Sequence, residues 1–521
     1  MLLSVTLATA SLLDGESAPW QASFVNEPTN ARHALTNPVR ISYNNIHDHA
    51  VADVDYTSAR GDYHDISSSG DAYSGRGSLQ GLKRLGRWDM QGHIAYCNLQ
   101  QQDQRWDTRL WNEPTNPYYV CDSVPGDAST EAFDLGLTLS YRASDQWTWG
   151  IDAALRTGSR ADQSDPRPRT TAMVIPVTLG AERAIGQEWH LGLAAGVQIY
   201  SSVLEYYTVQ PLNNHRYFVM KGMGDYLKRS TGDDSGYQRD YKGLSMQGAL
   251  HAVWADASQR RTNVVEAAML MGDEDATDGG SSYSFDGGAY AYNTLTVTDW
   301  FTLRTSTAVQ HRWALRYSML QGKGTWSDQK RETDSEHGNI AYYVTLSKSV
   351  NHKVQSWQTR LSYTFDHFRS AQRDLFASAD ISLSSMQRTN YLGASIPRQE
   401  YQLLTANLSA GRCLPTGRSV LWIKVNGGYT HPLSRQFASG SLYTGTDDIS
   451  AHYTAPLFEY QTSRQVRLGA VIDWCLPISA ALSTGLCAQY QCQRYADSDY
   501  CWTGYDGTAL HTLRVSAYLR F

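Results

Sequence analysis

The residues best suited to chemistry lie near the start of the chain, in His47-Asp48-His49, followed by Asp53, Asp55, His64 and Asp65. In an extended strand, His47 and His49 project to one face, and neutral imidazoles beside carboxylates suit a transition metal. The competing reading is a solvated break in a polar strand. A second acidic run, Asp273-Glu274-Asp275 with Asp278, falls in an expected external loop, where it is either a Ca²⁺ ligand set or an ordinary solvated loop tip. No GxSxG elbow, Walker loop, HExxH helix or EF-hand loop occurs. The expectation is therefore a protein that is not an enzyme, with no catalytic residues and no cofactor; His47 and His49 are its transition-metal candidates.

A larger set of charges recurs at regular spacing. Arg142, Arg156, Asp152, Arg312, Arg316, Arg360, Asp380, Arg467, Asp473 and Arg514 each sit in a stretch where polar and apolar residues alternate. One example is Trp357, Thr359, Leu361, Tyr363 and Phe365 interleaved with Gln358, Arg360, Ser362, Thr364 and Asp366. A period of two puts the two sets on opposite faces of a strand. With the charges on one face and the aliphatics on the other, strand after strand, the pattern is that of a polar lumen and an oily exterior. These ten residues are the expected lumen lining. Their mixed signs suit either an aqueous channel or internal salt bridges across a blocked bore.

The composition of the 521 residues agrees with this. Only 18% are charged, yet mean hydropathy is −0.46, so neutral polar side chains and 33 Tyr carry the polarity. The net charge of −6 gives no basic surface for nucleic acid. Seven Cys, an odd number without CxxC or Cys/His spacing, exclude a disulfide scaffold or zinc site, although Cys492 and Cys501 flank the last external loop and could bridge it in an oxidising compartment. Sustained 3.6-residue periodicity is absent, and no run of about 18 apolar residues exists to cross a membrane as a helix. A membrane location then requires a closed barrel, because hydrocarbon cannot satisfy open backbone groups.

Connections support that architecture. Short links near 85–87, 143–146, 184–187, 255–260, 304–307, 367–374, 414–418 and 477–479 alternate with long polar ones near 60–77, 100–131, 158–170, 202–243, 272–287, 321–353, 389–399, 431–458 and 496–508. This predicts an all-β, transmembrane, antiparallel up-and-down barrel of about eighteen strands, sixteen being the alternative, with short periplasmic turns and long extracellular loops. Trp88, Trp147, Trp189, Trp254, Trp300, Trp422 and Trp474 cluster at the short turns and predict an aromatic girdle there. Three segments are expected: a possible truncated signal at 1–10, a periplasmic or lumenal segment at 11–38, and one barrel over 39–521. Residues 18–38 and the aromatic 202–243 loop are the two stretches placed to block the bore.

The last strand ends Leu519-Arg520-Phe521. A barrel strand closing on Phe resembles bacterial outer-membrane proteins, and the resemblance implies that Phe521 belongs to an assembly signal. The whole layout, with Tyr-, Gln- and Ser-rich strands and large loops, is similar to outer-membrane barrels of Bacteroidota, within a family without assigned activity. That resemblance implies residence in the outer-membrane lipid bilayer of a Gram-negative bacterium. It also implies surface lipoproteins or TonB-dependent transporters as partners in a complex linked to nutrient uptake. The expected role is a scaffold or partner subunit, the alternative a passive or substrate-selective, porin-like diffusion channel.

Overall fold

The computed structural model describes residues 31–43, 48–209, 215–230, 237–279, 284–336, 340–369, 372–391, 396–440, 448–479, 481–496 and 509–521. Eighteen strands form one antiparallel sheet in which each pairs with its neighbours in sequence. The first, His49–Gly61, pairs with the last, Ala509–Arg520, from Val51 opposite Arg520 to Gly61 opposite Leu510. The wall is therefore closed, and no strand of it is left as an open edge. Of the two strand counts that the sequence allows, eighteen is the one found.

Alternation explains both faces of the wall. Leu250, Leu408, Leu468 and Ile381 are between 56% and 66% exposed on the outside, while Asp366 and Asp473 on the inside are fully buried. An outer surface with this much exposed leucine and isoleucine is far beyond the scattered apolar residues of a water-soluble face. The tight turns need glycine where the hairpins close. Gly86 and Gly417 adopt φ of +61° and +65° between the paired ends Leu85/Trp88 and Thr416/Ser419.

Four expectations are corrected. The first barrel strand begins at His49, and residues 39–43 belong instead to a 3₁₀ turn, Pro38–Tyr43. Asn37 starts that turn, its side-chain oxygen accepting from Val39 N–H at 3.1 Å and its carbonyl from Arg40 N–H at 3.0 Å. Second, much of the expected 321–353 loop is strand, because Val309–Asp334 and Ile340–Arg369 stay paired out to Asp334 opposite Ile340. Third, the Asp273–Asp278 run is the end of a strand, Arg261–Asp278. In both cases the chain leaves the apolar belt, so its composition turns polar while its backbone goes on pairing. Fourth, Trp422 and Trp300 are not in an outer girdle. Trp422 is fully buried against Phe376 and Cys413, and Trp300 packs on Leu35, Val253 and Val264. Trp88 and Trp189 do face outward, at 43% and 46% exposure.

Candidate functional site

The bore is the candidate site, and two pieces of chain cross it. At the short-turn end lies the segment Ala31–Tyr43. Its Leu35 packs on Val253, Val264 and Trp300. Asn37 donates from one amide to the carbonyls of Ala181 at 3.0 Å and Leu193 at 2.8 Å. The Arg40 guanidinium meets Asp152 at 2.8 Å, and Arg84 reaches the Ser42 carbonyl at 3.3 Å. Thr36 gives its N–H and its hydroxyl to the two oxygens of Glu266, at 2.8 and 2.9 Å. These partners belong to strands running from Asp71–Leu85 round to Phe285–Arg304. Thirteen residues can touch inward-facing side chains on so much of the ring only from inside it.

The wall is shaped for this plug. A Cβ on Gly180 would fall 2.0 Å from Asn37 Oδ1 and 2.7 Å from Pro38 Cδ, and one on Gly150 would fall 2.8 Å from Pro38 Cβ. Side chains larger than hydrogen cannot share that space. Tyr43 ends the plug by donating its hydroxyl to Glu182. Glu182 lies 3.0 Å from His190 Nδ1 and 2.9 Å from His251 Nε2, so one carboxylate joins plug and wall.

At the long-loop end a cap closes over the bore. Short strands Val120–Cys121, Arg216–Gly222 and Asp225–Ser230 form a three-stranded sheet within it. Tyr206, Tyr217, Phe218, Tyr226 and Tyr237 are all buried, so the aromatic loop is an internal core; Tyr207 alone of this group points out. Trp106 is stacked between Phe218 and Tyr453, at ring-centroid separations of 5.8 and 5.2 Å. Phe458, on helix Ala455–Thr462, packs against Tyr401 of the wall. Tyr118 bonds Asn351 and lies over Gly288, where a Cβ would be 2.5 Å from its ring.

Charges pin the cap. Glu274 accepts from Asn112 at 2.6 Å, Asn116 at 3.0 Å and the N–H of Glu113 at 2.9 Å. Asp107 holds Arg109 through two bonds of 3.0 Å. Burial pushes the Asp122 carboxyl up to about 7, against the pull of Val124 N–H and the Tyr206 hydroxyl, which favour its charged form.

All ten charges named from the sequence stand on strands whose parity turns them inward. Asp152 takes Arg40 of the plug. Arg142 is 3.8 Å from Asp89 and Arg156 is 3.3 Å from Asp134, which also meets His93 at 3.0 Å. Arg312 and Arg373 share Asp366 at 2.7 and 2.5 Å. Arg360 pairs with Asp380 at 3.2 Å, Arg514 with Asp55 at 3.1 Å, and Asp473 accepts from the Tyr518 hydroxyl at 2.9 Å. Arg467 donates to Thr430 Oγ1 at 3.5 Å. Among the described residues Arg316 has no carboxylate partner.

The suggested metal pair falls partly outside the described residues. His47 and Cys501 lie outside the described residues, and His49 stands on the first barrel strand. Among the described residues no group of three or more His, Cys, Asp or Glu is placed to hold a metal ion. Phe521 exchanges backbone bonds with Ala50, N–H to carbonyl at 2.9 Å and carbonyl to N–H at 2.6 Å. Strand alternation already turns Glu182 into the lumen, but sequence reasoning missed Thr36, Tyr43, His190, His251 and Glu266. The available signal was Glu266 standing inward in a strand otherwise rich in small and neutral residues.

Residues 38–521 match the family described as "Family of unknown function (DUF6850)". Among solved structures, the chain is similar to the copper transporter OprC at 8% identity and a TM-score of 0.41, over 90% of this chain and 80% of that one. It is similar to the RagAB peptide importer in its closed-closed state at 7% identity and 0.43, over 91% and 86%. The siderophore receptor PirA of Pseudomonas aeruginosa gives 10% and 0.37, over 91% and 81%. No curated protein matches the chain.

Proposed function

The chain belongs to a family of unknown function, DUF6850, and we propose that it is an integral outer-membrane β-barrel of a Gram-negative bacterium. In this reading it serves as the membrane-embedded scaffold or partner subunit of a surface complex linked to nutrient uptake. A closed antiparallel barrel with an apolar outer wall and a polar bore is the β-structure that hydrocarbon tolerates. Short turns then face the periplasm and long loops the exterior. The partners proposed are a surface lipoprotein or a TonB-dependent transporter. The protein is read as non-enzymatic, and Phe521 as part of the assembly signal.

The observation that carries the scaffold over an open pore is that the bore is crossed twice, by Ala31–Tyr43 below and by the cap above. Bulk flow needs a continuous aqueous path, which two ordered crossings oppose. In planar bilayers the purified protein is expected to give no stable conductance steps, and gentle-detergent extraction of native membranes to bring down a stoichiometric partner. Stepwise conductance from the intact chain would instead establish a diffusion channel. Release by carbonate washing would remove the membrane reading altogether.

A further inference from the structure

Beginning beside Glu266, which is opposite Thr298, one row of inward side chains runs across six strands. Thr298 is opposite Arg316, Arg316 opposite Arg360, Arg360 opposite Ser382, Ser382 opposite Thr405, and Thr405 opposite Thr430. The last two hydroxyls are 3.1 Å apart. Every member of the row carries a hydrogen-bond donor, and its second pairing sets two arginines opposite each other.

That pairing is unusual. Like charges directly opposite on adjacent strands repel, and sheets ordinarily avoid them. A carboxylate meets the pair on the Arg360 side alone: Asp380 lies 3.2 Å from Arg360 and also accepts from Asn407 at 3.0 Å. Arg316 is exposed to the bore and the Arg360 side chain is 51% exposed, so both forks remain open to a ligand. From Thr298 to Thr430 the row itself holds two cations and otherwise only hydroxyls, and the carboxylate at its side, Asp380, contacts only Arg360 of the two.

From this geometry we propose that Arg316 and Arg360 form a binding site for an oxyanion carried by a solute in the bore, with Thr298 and Ser382 as flanking donors. Guanidinium forks match carboxylate and phosphate oxygens two at a time. The ligand class is therefore an anionic small molecule bearing carboxylate or phosphoryl groups. The site rests on the reading of the protein as a membrane barrel with an aqueous bore, and it deepens the link to uptake.

Titration calorimetry on the full chain in nanodiscs tests the site, with citrate as the carboxylate probe and inorganic phosphate as the phosphoryl probe. The wild type is expected to bind at least one of them, more weakly as NaCl is raised. Arg316→Gln and Arg360→Gln should each weaken binding roughly tenfold or more, as expected for a lost charge-assisted bond. Arg316→Lys should retain part of it, which separates charge from fold. Arg435→Gln, in an exposed pair with Glu459, should leave it unchanged. Absence of binding by an inserted wild-type barrel overturns the proposal, as does an unaltered affinity in both Gln variants. Insertion itself is scored separately by resistance to carbonate, so failure of the site and failure of the membrane reading give different results.

Discussion

Thr36 and Glu266 meet as a matched pair: two donors from one plug residue fill both oxygens of one wall carboxylate, at 2.8 and 2.9 Å. Hydrogen bonds to a charged acceptor contribute about 1.5–3 kcal/mol each, more than most contacts the plug makes. The pair fixes the middle of Ala31–Tyr43, with Asn37 and Arg40 securing the part that follows.

Glu266→Ala should therefore loosen the plug without disturbing barrel closure. Trypsin cleavage after Arg40 reports the opening, because cleavage follows the population of the released form. The rate is expected to rise roughly tenfold or more, consistent with the loss of those two bonds. Gly180→Val should have a larger effect, since its side chain would occupy the place of Asn37 Oδ1. Unchanged cleavage in both variants would show that the plug is held by other contacts.

Arg239 and Asp278 form a buried pair near the long-loop end, the Arg fully buried and the Asp 7% exposed, with Nη2 to Oδ2 at 2.8 Å. Asp278→Asn strands a guanidinium without its counter-charge and should cost about 3–5 kcal/mol. Replacing both, Arg239→Met with Asp278→Leu, should be close to neutral. The readout is the temperature at which the heat-modifiable band on a denaturing gel shifts.

The cap should respond to pH through Asp122. Its folded carboxyl titrates at about 7, above the usual 3.8, because burial penalises the charge. The folded cap thus binds a proton that the opened cap releases. Its contribution is complete below about 4 and is lost as pH rises to 7. Once each amide is corrected for its intrinsic base-catalysed rate, hydrogen exchange over 105–125 should accelerate between about pH 4 and 7, and Asp122→Asn should flatten that dependence. A rate profile that stays steep in the variant would assign the titration elsewhere.

Phe521 and Ala50 complete the ladder where the barrel meets itself. Removing Phe521 deletes two backbone bonds, about 1 kcal/mol each, and an outward ring that is 54% exposed. The yield of heat-modifiable, membrane-inserted protein should fall. Phe521→Ala keeps the bonds and should lose yield only if the ring itself is read during assembly.

Much was legible from the chain alone, because a strand's period of two is written in its residues. Alternation around Asp152, Arg360 and Arg514 shows which face each would take, and the spacing of turns gives the number of strands. The same parity would have turned Trp422 inward beside Lys424; grouping tryptophans by distance from a turn discarded that information. The ends of strands were not legible, since Thr325–Asp334 keeps its backbone pairing after the apolar signal stops. Nor were the meetings across the bore. Thr36 and Glu266 are separated by 230 residues, and nothing local to either marks the other. Local pattern determines which way a side chain faces, whereas closure of the sheet into a ring determines what it faces, because only the ring brings distant strands around one short segment.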